Sequence, residues 1–267
     1  MAVRVAVAGA AGRMGRNVVK AVEEDPGTEL VAAVDVAQVG ADAGELAGGR
    51  PNGILIGDNL LETLKTSRAE VLVDFTLAQS CFANAKAAIE VGVSPVIGTT
   101  GMGAEQVQEL RTLAEQSGVG ALLAPNFAIG AVLMMLFARQ AAKYMPEVEV
   151  IELHHEKKVD APSGTALRTI EMILEGRAER TVVRPEREEF KVEGARGGDL
   201  QGVRVHSVRL PGYVAHQECI FGGLGQTLTI RHDSIDRVSF MPGVVLACKK
   251  VRDLPGLIVG LEHILEM

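Results

Sequence analysis

Tryptophan is absent from the chain, and tyrosine and phenylalanine together supply only nine of its 267 residues. Apolar residues are plentiful all the same, so aliphatic side chains must make the core. No long basic run occurs, and the 34 acidic residues outnumber the 27 lysines and arginines to leave a net charge of −7. That balance argues against nucleic acid as the main partner. The three cysteines, Cys81, Cys219 and Cys248, are odd in number and scattered. They form no disulfide scaffold and fit a reducing, cytoplasmic setting. No HExxH or CxxC spacing occurs, so no metal is expected. A secretory signal is not expected either, because the first apolar run is short and flows into a glycine turn. The one long apolar stretch, Ala121 to Ala138, just reaches membrane-span length. Pro125-Asn126 breaks it near its start, and a strand end followed by a buried helix explains it better. No membrane partner is expected. Neither internal repeats nor low-complexity segments are visible.

What the chain does contain is an α/β grammar. Val3 to Ala8 reads as a buried strand, Gly9-Ala10-Ala11-Gly12-Arg13-Met14-Gly15 as a turn, and a helix follows to about Glu24. A second strand, Glu29 to Val34, ends at Asp35. Strand, glycine turn, helix, strand and acid is the order of a dinucleotide-binding unit. The glycines allow a tight turn and close approach to a pyrophosphate at the helix start. Asp35 is placed to accept hydrogen bonds from ribose hydroxyls. The spacing here is GxxGxxG rather than GxGxxG, so the flanking elements carry the assignment.

Strands are then predicted at Val71 to Phe75, Pro95 to Ile97 and Gly120 to Ala124, with helices from Ser80 to Val91 and Ala104 to Gln116. Such alternation implies a parallel sheet, whose ligands lie at the carboxyl ends of its strands. Those ends are Gly9–Gly15, Asp35, Asp74-Phe75-Thr76, Gly98-Thr99-Thr100 and Ala124-Pro125-Asn126-Phe127. Past Phe127 comes a long apolar helix, roughly Ile129 to Lys143. Arg177 to Gly198 is charged and reads as surface loop. Strands at Val203 to Arg209, Tyr213 to Phe221 and Gln226 to Arg231, joined by short glycine turns, predict a mostly antiparallel sheet. Helices are expected at Val244 to Val251 and Leu257 to Leu265.

Between the two parts lies His154-His155-Glu156-Lys157-Lys158-Val159-Asp160-Ala161-Pro162-Ser163-Gly164-Thr165, entered from a short strand and left through a helix. A helix start with Ser163, Gly164 and Thr165 offers backbone N–H groups, hydroxyls and a positive dipole end to a carboxylate or phosphate. The adjacent imidazoles and amines can bind a second acid or move protons. Each residue also has a plainer reading: Ser163 fits an N-cap in any protein, and His-His among charges fits a solvated loop.

With these motifs in order, the chain resembles the 4-hydroxy-tetrahydrodipicolinate reductases, also called dihydrodipicolinate reductases, of the diaminopimelate route to lysine. The resemblance spans essentially the whole chain. His-His-x-x-Lys-x-Asp-Ala-Pro-Ser-Gly-Thr is its most specific part, and Leu210-Pro211-Gly212 and Val214 to Glu218 look like one branch of the family. The resemblance implies a Rossmann domain over 1–127, a substrate-binding and oligomerisation domain with an open mixed sheet over 128–240, and C-terminal helices over 241–267 packing back on the first. It also implies a homotetramer built through those sheets. By similarity, Gly9, Ala10, Ala11, Gly12, Arg13, Met14, Asp35, Gly98, Thr99, Thr100, Ala124, Pro125, Asn126 and Phe127 hold NADH or NADPH. His154 and Lys158 match the proton donors, and His155, Lys158, Ser163, Gly164 and Thr165 match the pocket for a small cyclic dicarboxylate.

One departure bears on the cofactor. Many NADPH-using members carry an arginine after the ribose-binding acid, whereas Val36 follows Asp35 here. An acid without that arginine disfavours a 2′-phosphate, although Arg13 is within reach of one. NADH use at least as good as NADPH use is therefore expected. Two other readings account for the first domain but not for the His154–Thr165 junction. One is another amino-acid-pathway dehydrogenase, of aspartate or homoserine type; the other is a non-catalytic NAD(H) sensor.

Overall fold

The first apolar run becomes strand β1 (Val3–Ala8), in which Val5, Ala6 and Val7 are wholly inaccessible. A computed structural model describes residues 1–177 and 189–266 of the chain. It divides into two units, Met1–Ile129 with Arg237–Met267, and Gly130–Asp236.

In the first unit β1 is followed by α1 (Arg13–Glu24), β2 (Thr28–Val34), α2 (Ala43–Leu46), β3 (Ile56–Gly57), α3 (Leu60–Ser67) and β4 (Val71–Asp74). Next come α4 (Ala78–Glu90), β5 (Ser94–Ile97), α5 (Ala104–Ser117) and β6 (Ala121–Leu123). Short aliphatic strands with no polar alternation are what a sheet covered on both faces requires. The strands form one parallel sheet in the order β6-β5-β4-β1-β2-β3. The order reverses between β1 and β4, which opens a crevice at their carboxyl ends. Leu72, Leu64, Ala88 and Val93 form the core under β1, and Cys81, Ile89, Ile97 and Leu110 form the core between α4 and α5. Each buried leucine, isoleucine or valine among them contributes about 1.5–3 kcal/mol.

The C-terminal segment differs from its sequence reading. After helix α8 (Met241–Lys250), Leu257–Val259 is not helical but a strand, β12, added to the edge of the sheet in parallel with β6. Gly260 has φ +106, which no helix accommodates, and its N–H donates to Leu123 O at 2.9 Å. The open edge of β6 captured a segment whose apolar spacing alone read as helix. The Ala121 to Ala138 run resolves into β6, a loop and α6 (Ile129–Ala142). Among the described residues no helix is long and apolar enough to cross a membrane.

The second unit holds most of α6, then β7 (Glu147–His154), α7 (Gly164–Arg177), β8 (Gly198–Leu200), β9 (Val203–Arg209), β10 (Ala215–Gly223) and β11 (Gln226–Ser234). Half of the surface loop expected from Arg177 to Gly198, residues 178–188, lies outside the described residues; 189–197 is exposed turn and coil apart from a half-buried Gly197, while Arg177 ends α7 and Gly198 begins β8. The mixed sheet runs β11-β10-β7-β9-β8. Its consecutive strands β9 and β10 are not a hairpin, despite the short Leu210-Pro211-Gly212 turn, because β7 lies between them. β7 pairs with β9 in parallel and with β10 antiparallel. β8 comes between α7 and β9 in the chain and pairs antiparallel with β9, so it is the turn from β8 into β9 that leaves β9 parallel to β7.

Val148 and Val150 of β7, Ala166, Ile170 and Ile173 of α7, and Cys219 and Phe221 of β10 form one buried layer beneath the helices. Gly176 permits that layer, because a Cβ there would lie 2.0 Å from the Arg139 carbonyl of α6. The opposite face of the sheet, with Glu149, Ile151 and Leu153 of β7, is only half-buried.

Candidate active site

The glycine turn between β1 and α1 has little room for side chains. Gly9 has φ +78, and a Cβ there would lie 2.7 Å from the Phe75 carbonyl; a Cβ at Gly15 would lie 2.0 Å from the Gly9 carbonyl. Helix α1 therefore packs directly on the turn. The turn's own amides already have acceptors: Gly9 and Ala10 donate to Val34 O, Gly12 to Gly9 O, and Ala11 to the Asp35 carboxylate. Gly12, the N-cap, contributes no side-chain cap. The amides of Arg13 and Met14, at the helix start, have no intrahelical acceptor and can serve a pyrophosphate. The cradle thus fits a dinucleotide.

A cavity of about 330 Å³ opens beside this turn. It brings together the expected Gly9, Gly12, Asp35, Phe75 and Thr76 with Asp58, Leu60, Ser80 and Asn84, which the sequence reading had not placed at the cofactor cleft. Gly98, Thr99, Thr100 and the 124–127 segment do not line it. They join the same sheet edge by other contacts. Thr99 Oγ1 donates to the buried Asp74 carboxylate at 3.1 Å, and Asp74 also accepts from Thr76 N, Thr76 Oγ1 and Asn84 Nδ2 at 2.7–2.9 Å. Four donors satisfy a carboxylate that burial would otherwise penalise. Asp74 thereby ties the 76 and 98–100 loops together. A Cβ at Gly98 would lie 2.2 Å from the Phe75 ring, and that ring packs against Phe127 with centroids 5.7 Å apart. The Asn126 side chain accepts from Ala128 N at 2.9 Å.

The second group of residues sits where β7 ends. Strand alternation puts Glu152 and His154 on one face, and Glu152 is completely inaccessible. Its carboxylate accepts from the His154 Nδ1 and takes a two-pronged contact from Arg209 at 2.7 and 2.9 Å. Burial alone would raise the Glu152 pKa, but the hydrogen bonds from His154, Arg209 and Ser207 outweigh it and hold the group at about 2. Because Nδ1 is committed to a carboxylate, Nε2 is the end of His154 left for chemistry. Arg209 also donates to the Asp160 carbonyl at 2.7 Å, fixing the loop that follows. Sequence reasoning missed both residues. Glu152 was detectable, two positions before His154 on a strand, whereas nothing local marks Arg209.

In that loop Lys158 Nζ holds the Asp160 carboxylate at 2.7 and 2.9 Å, and this ammonium keeps the Asp160 pKa low. His155 is half-buried, and its carbonyl accepts from Lys158 N at 3.1 Å. The Ala161–Pro162 peptide is cis. Ser163 is buried and its Oγ accepts from Ala166 N at 3.2 Å, so it does cap α7. Gly164 is exposed at the helix start, where an acidic group would meet the positive end of the dipole. Hydrogen bonds through Glu152, Arg209 and Asp160 thus link His154 at the end of β7 to Lys158 in the loop that leads to α7.

Family models for dihydrodipicolinate reductase match both parts of the chain, the N-terminal model over residues 3–127 and the C-terminal model over 130–265. A 4-hydroxy-tetrahydrodipicolinate reductase from Desulfitobacterium hafniense is 53% identical over 265 residues, covering 99% of each chain. One from Listeria monocytogenes is 51% identical, covering 98% of this chain and all of that one. Among solved structures, a dipicolinate-bound dihydrodipicolinate reductase from Paenisporosarcina sp. TG-14 superposes with a TM-score of 0.88 at 44% identity, covering 99% of this chain and 100% of that one. An amine dehydrogenase from Mycobacterium smegmatis, at 16% identity and a TM-score of 0.65, shares the fold alone. Both halves matched, and matched in order at this identity, place the chain in the dihydrodipicolinate reductase family.

Proposed function

We propose that this chain reduces 4-hydroxy-tetrahydrodipicolinate to tetrahydrodipicolinate, with loss of water, in the diaminopimelate route to lysine, using NADH or NADPH. The observation that carries the reading is the hydrogen-bonded series from His154 through Glu152, Arg209 and Asp160 to Lys158, on a chain that also has a dinucleotide cradle. Aspartate- or homoserine-type dehydrogenases and NAD(H) sensors would account for the cradle alone. The dipicolinate-bound relative supports a small cyclic dicarboxylate as ligand.

Such a substrate needs two anion sites. The amides at the start of α7 and the hydroxyls of Ser163 and Thr165 supply one, and His155 with Lys158 supplies the other. Lys158 would exchange Asp160 for the substrate carboxylate. When bound, the reduced nicotinamide supplies a hydride to C4 of the conjugated imine. His154, oriented through Nδ1, then protonates the neighbouring carbon of the enamine from Nε2, with Lys158 as the alternative donor. Gly9 to Met14 and Asp35 would hold the cofactor's pyrophosphate and ribose, and Gly98 to Thr100 and Ala124 to Phe127 would complete the cofactor site.

The chain is read as a cytoplasmic homotetramer. The three cysteines are free and buried, as a reducing compartment favours. The half-buried face of the β11-β10-β7-β9-β8 sheet is the surface offered for assembly; a monomer by light scattering would overturn that part.

The reaction is tested by generating substrate in situ with the preceding synthase and following cofactor absorbance. Synthase-dependent oxidation of NADH or NADPH is expected. A protein that binds cofactor yet oxidises none under these conditions would refute the assignment.

A further inference from the structure

We infer that Glu152 and Arg209 form a positioning pair for proton transfer, one that sets His154 and the Lys158 loop together. The inference rests on the reading of His154 as proton donor. Glu152 is inaccessible, yet it is an ionised carboxylate between β9 and β10, opposite Ser207 on one side and Gln217 on the other. The Gln217 amide is directed to Thr169 Oγ1 at 2.7 Å, so the charged partners of Glu152 are Arg209 and His154.

A buried ion pair is weak evidence for stability, since apolar residues of similar volume often serve as well. Its retention here has a geometric use. Arg209 neutralises Glu152 with both terminal nitrogens, and the carboxylate keeps a lone pair for His154 Nδ1. The imidazole is thereby fixed in rotation and in tautomer, with Nδ1–H donating. Protonation at Nε2 gives an imidazolium whose charge faces a carboxylate. The same guanidinium holds the Asp160 carbonyl, and Asp160 is the residue that engages Lys158. One pair of side chains therefore sets both candidate donors. His155 and the Lys158–Asp160 pair are the other titratable groups on this loop, and none of the three accepts from His154 Nδ1.

The test is Glu152→Gln, an amide of the same shape that can offer either an acceptor or a donor to Nδ1. Steady-state kinetics are measured across pH with synthase-generated substrate, beside His154→Gln, with NADH binding as the check on folding. In Glu152→Gln, kcat is expected to fall about tenfold or more while substrate KM and NADH affinity stay near wild type. Wild-type kcat in Glu152→Gln, with His154→Gln inactive, would overturn this inference and leave the reading of His154 intact. A fully active His154→Gln would instead remove that reading, and this one with it. Should Glu152→Gln fail to bind NADH, Glu152→Asp decides. It keeps the charge but withdraws it by one methylene, so a lowered kcat with unchanged KM supports the positioning role and unchanged kcat refutes it.

Discussion

Asp35 Oδ2 accepts the backbone N–H of Ala11 at 2.9 Å, so the acid proposed to hold the ribose also braces the glycine turn. Its other oxygen accepts from Ala37 N at 2.9 Å. Val36, next in the chain, is 92% exposed and offers no counter-charge. Asp58 lines the same cavity as a second carboxylate. Two acids in a cavity whose lining includes no lysine or arginine disfavour a 2′-phosphate, so kcat/KM for NADH should equal or exceed that for NADPH. Val36→Arg is expected to raise the NADPH-to-NADH ratio about tenfold, the worth of one favourable charge contact near 1.4 kcal/mol. A large NADPH excess in the unmodified chain would sink the argument.

Gly15 allows α1 to touch the turn. Because a Cβ there would lie 2.0 Å from Gly9 O, Gly15→Ala should force the helix start away from the cradle. NADH binding by fluorescence titration is expected to weaken by about tenfold or more, with a loss of roughly 1–3 kcal/mol in unfolding free energy. Wild-type affinity would mean that the turn has slack this packing does not show.

Glu152 links the site to acid stability. Its ordinary value is 4.5 and its folded value about 2, a depressed carboxylate. The stabilisation it contributes is complete above pH 4.5 and disappears as pH falls through 2; the full shift corresponds to roughly 3 kcal/mol. Urea titrations of the wild type should therefore show stability declining as pH is lowered from 4.5, and Glu152→Gln should lack that part of the slope. Parallel curves would show that the carboxylate is not held down by its partners.

Ser163 has a structural duty as well as the proposed binding one. Loss of its cap on Ala166 N should make Ser163→Ala less stable by about 1 kcal/mol and raise substrate KM. Lys158→Met, by contrast, removes a half-exposed ammonium, so it should raise KM and lower kcat with little change in melting temperature. A Ser163→Ala protein with altered stability but wild-type KM would reduce Ser163 to a cap.

Much of this was legible locally. The run from β1 through Asp35, the alternation to β6 and the His154–Thr165 junction each lie within a few turns of chain, where apolar period, glycine and capping residues act over short distances. Leu257–Val259 was misread for the same reason. Its aliphatic residues suit helix or strand, and only the free edge of β6 decided between them. The order of the mixed sheet was equally hidden, since a short turn after Arg209 reads as a hairpin until β7 is found between the two strands.

By itself, the amino-acid sequence determined the strand–turn–helix periods, the glycine turn, the acid that closes the second strand and the run of imidazoles, amines and hydroxyls from His154 to Thr165. Only the tertiary structure decided that Arg209, 57 residues from Glu152, clamps that carboxylate and that Asp74 gathers the 76 and 98–100 loops. Such pairs depend on which strands become neighbours and in what register. Once buried, an unpartnered carboxylate is costly enough that its partner must be found, however far along the chain that partner lies.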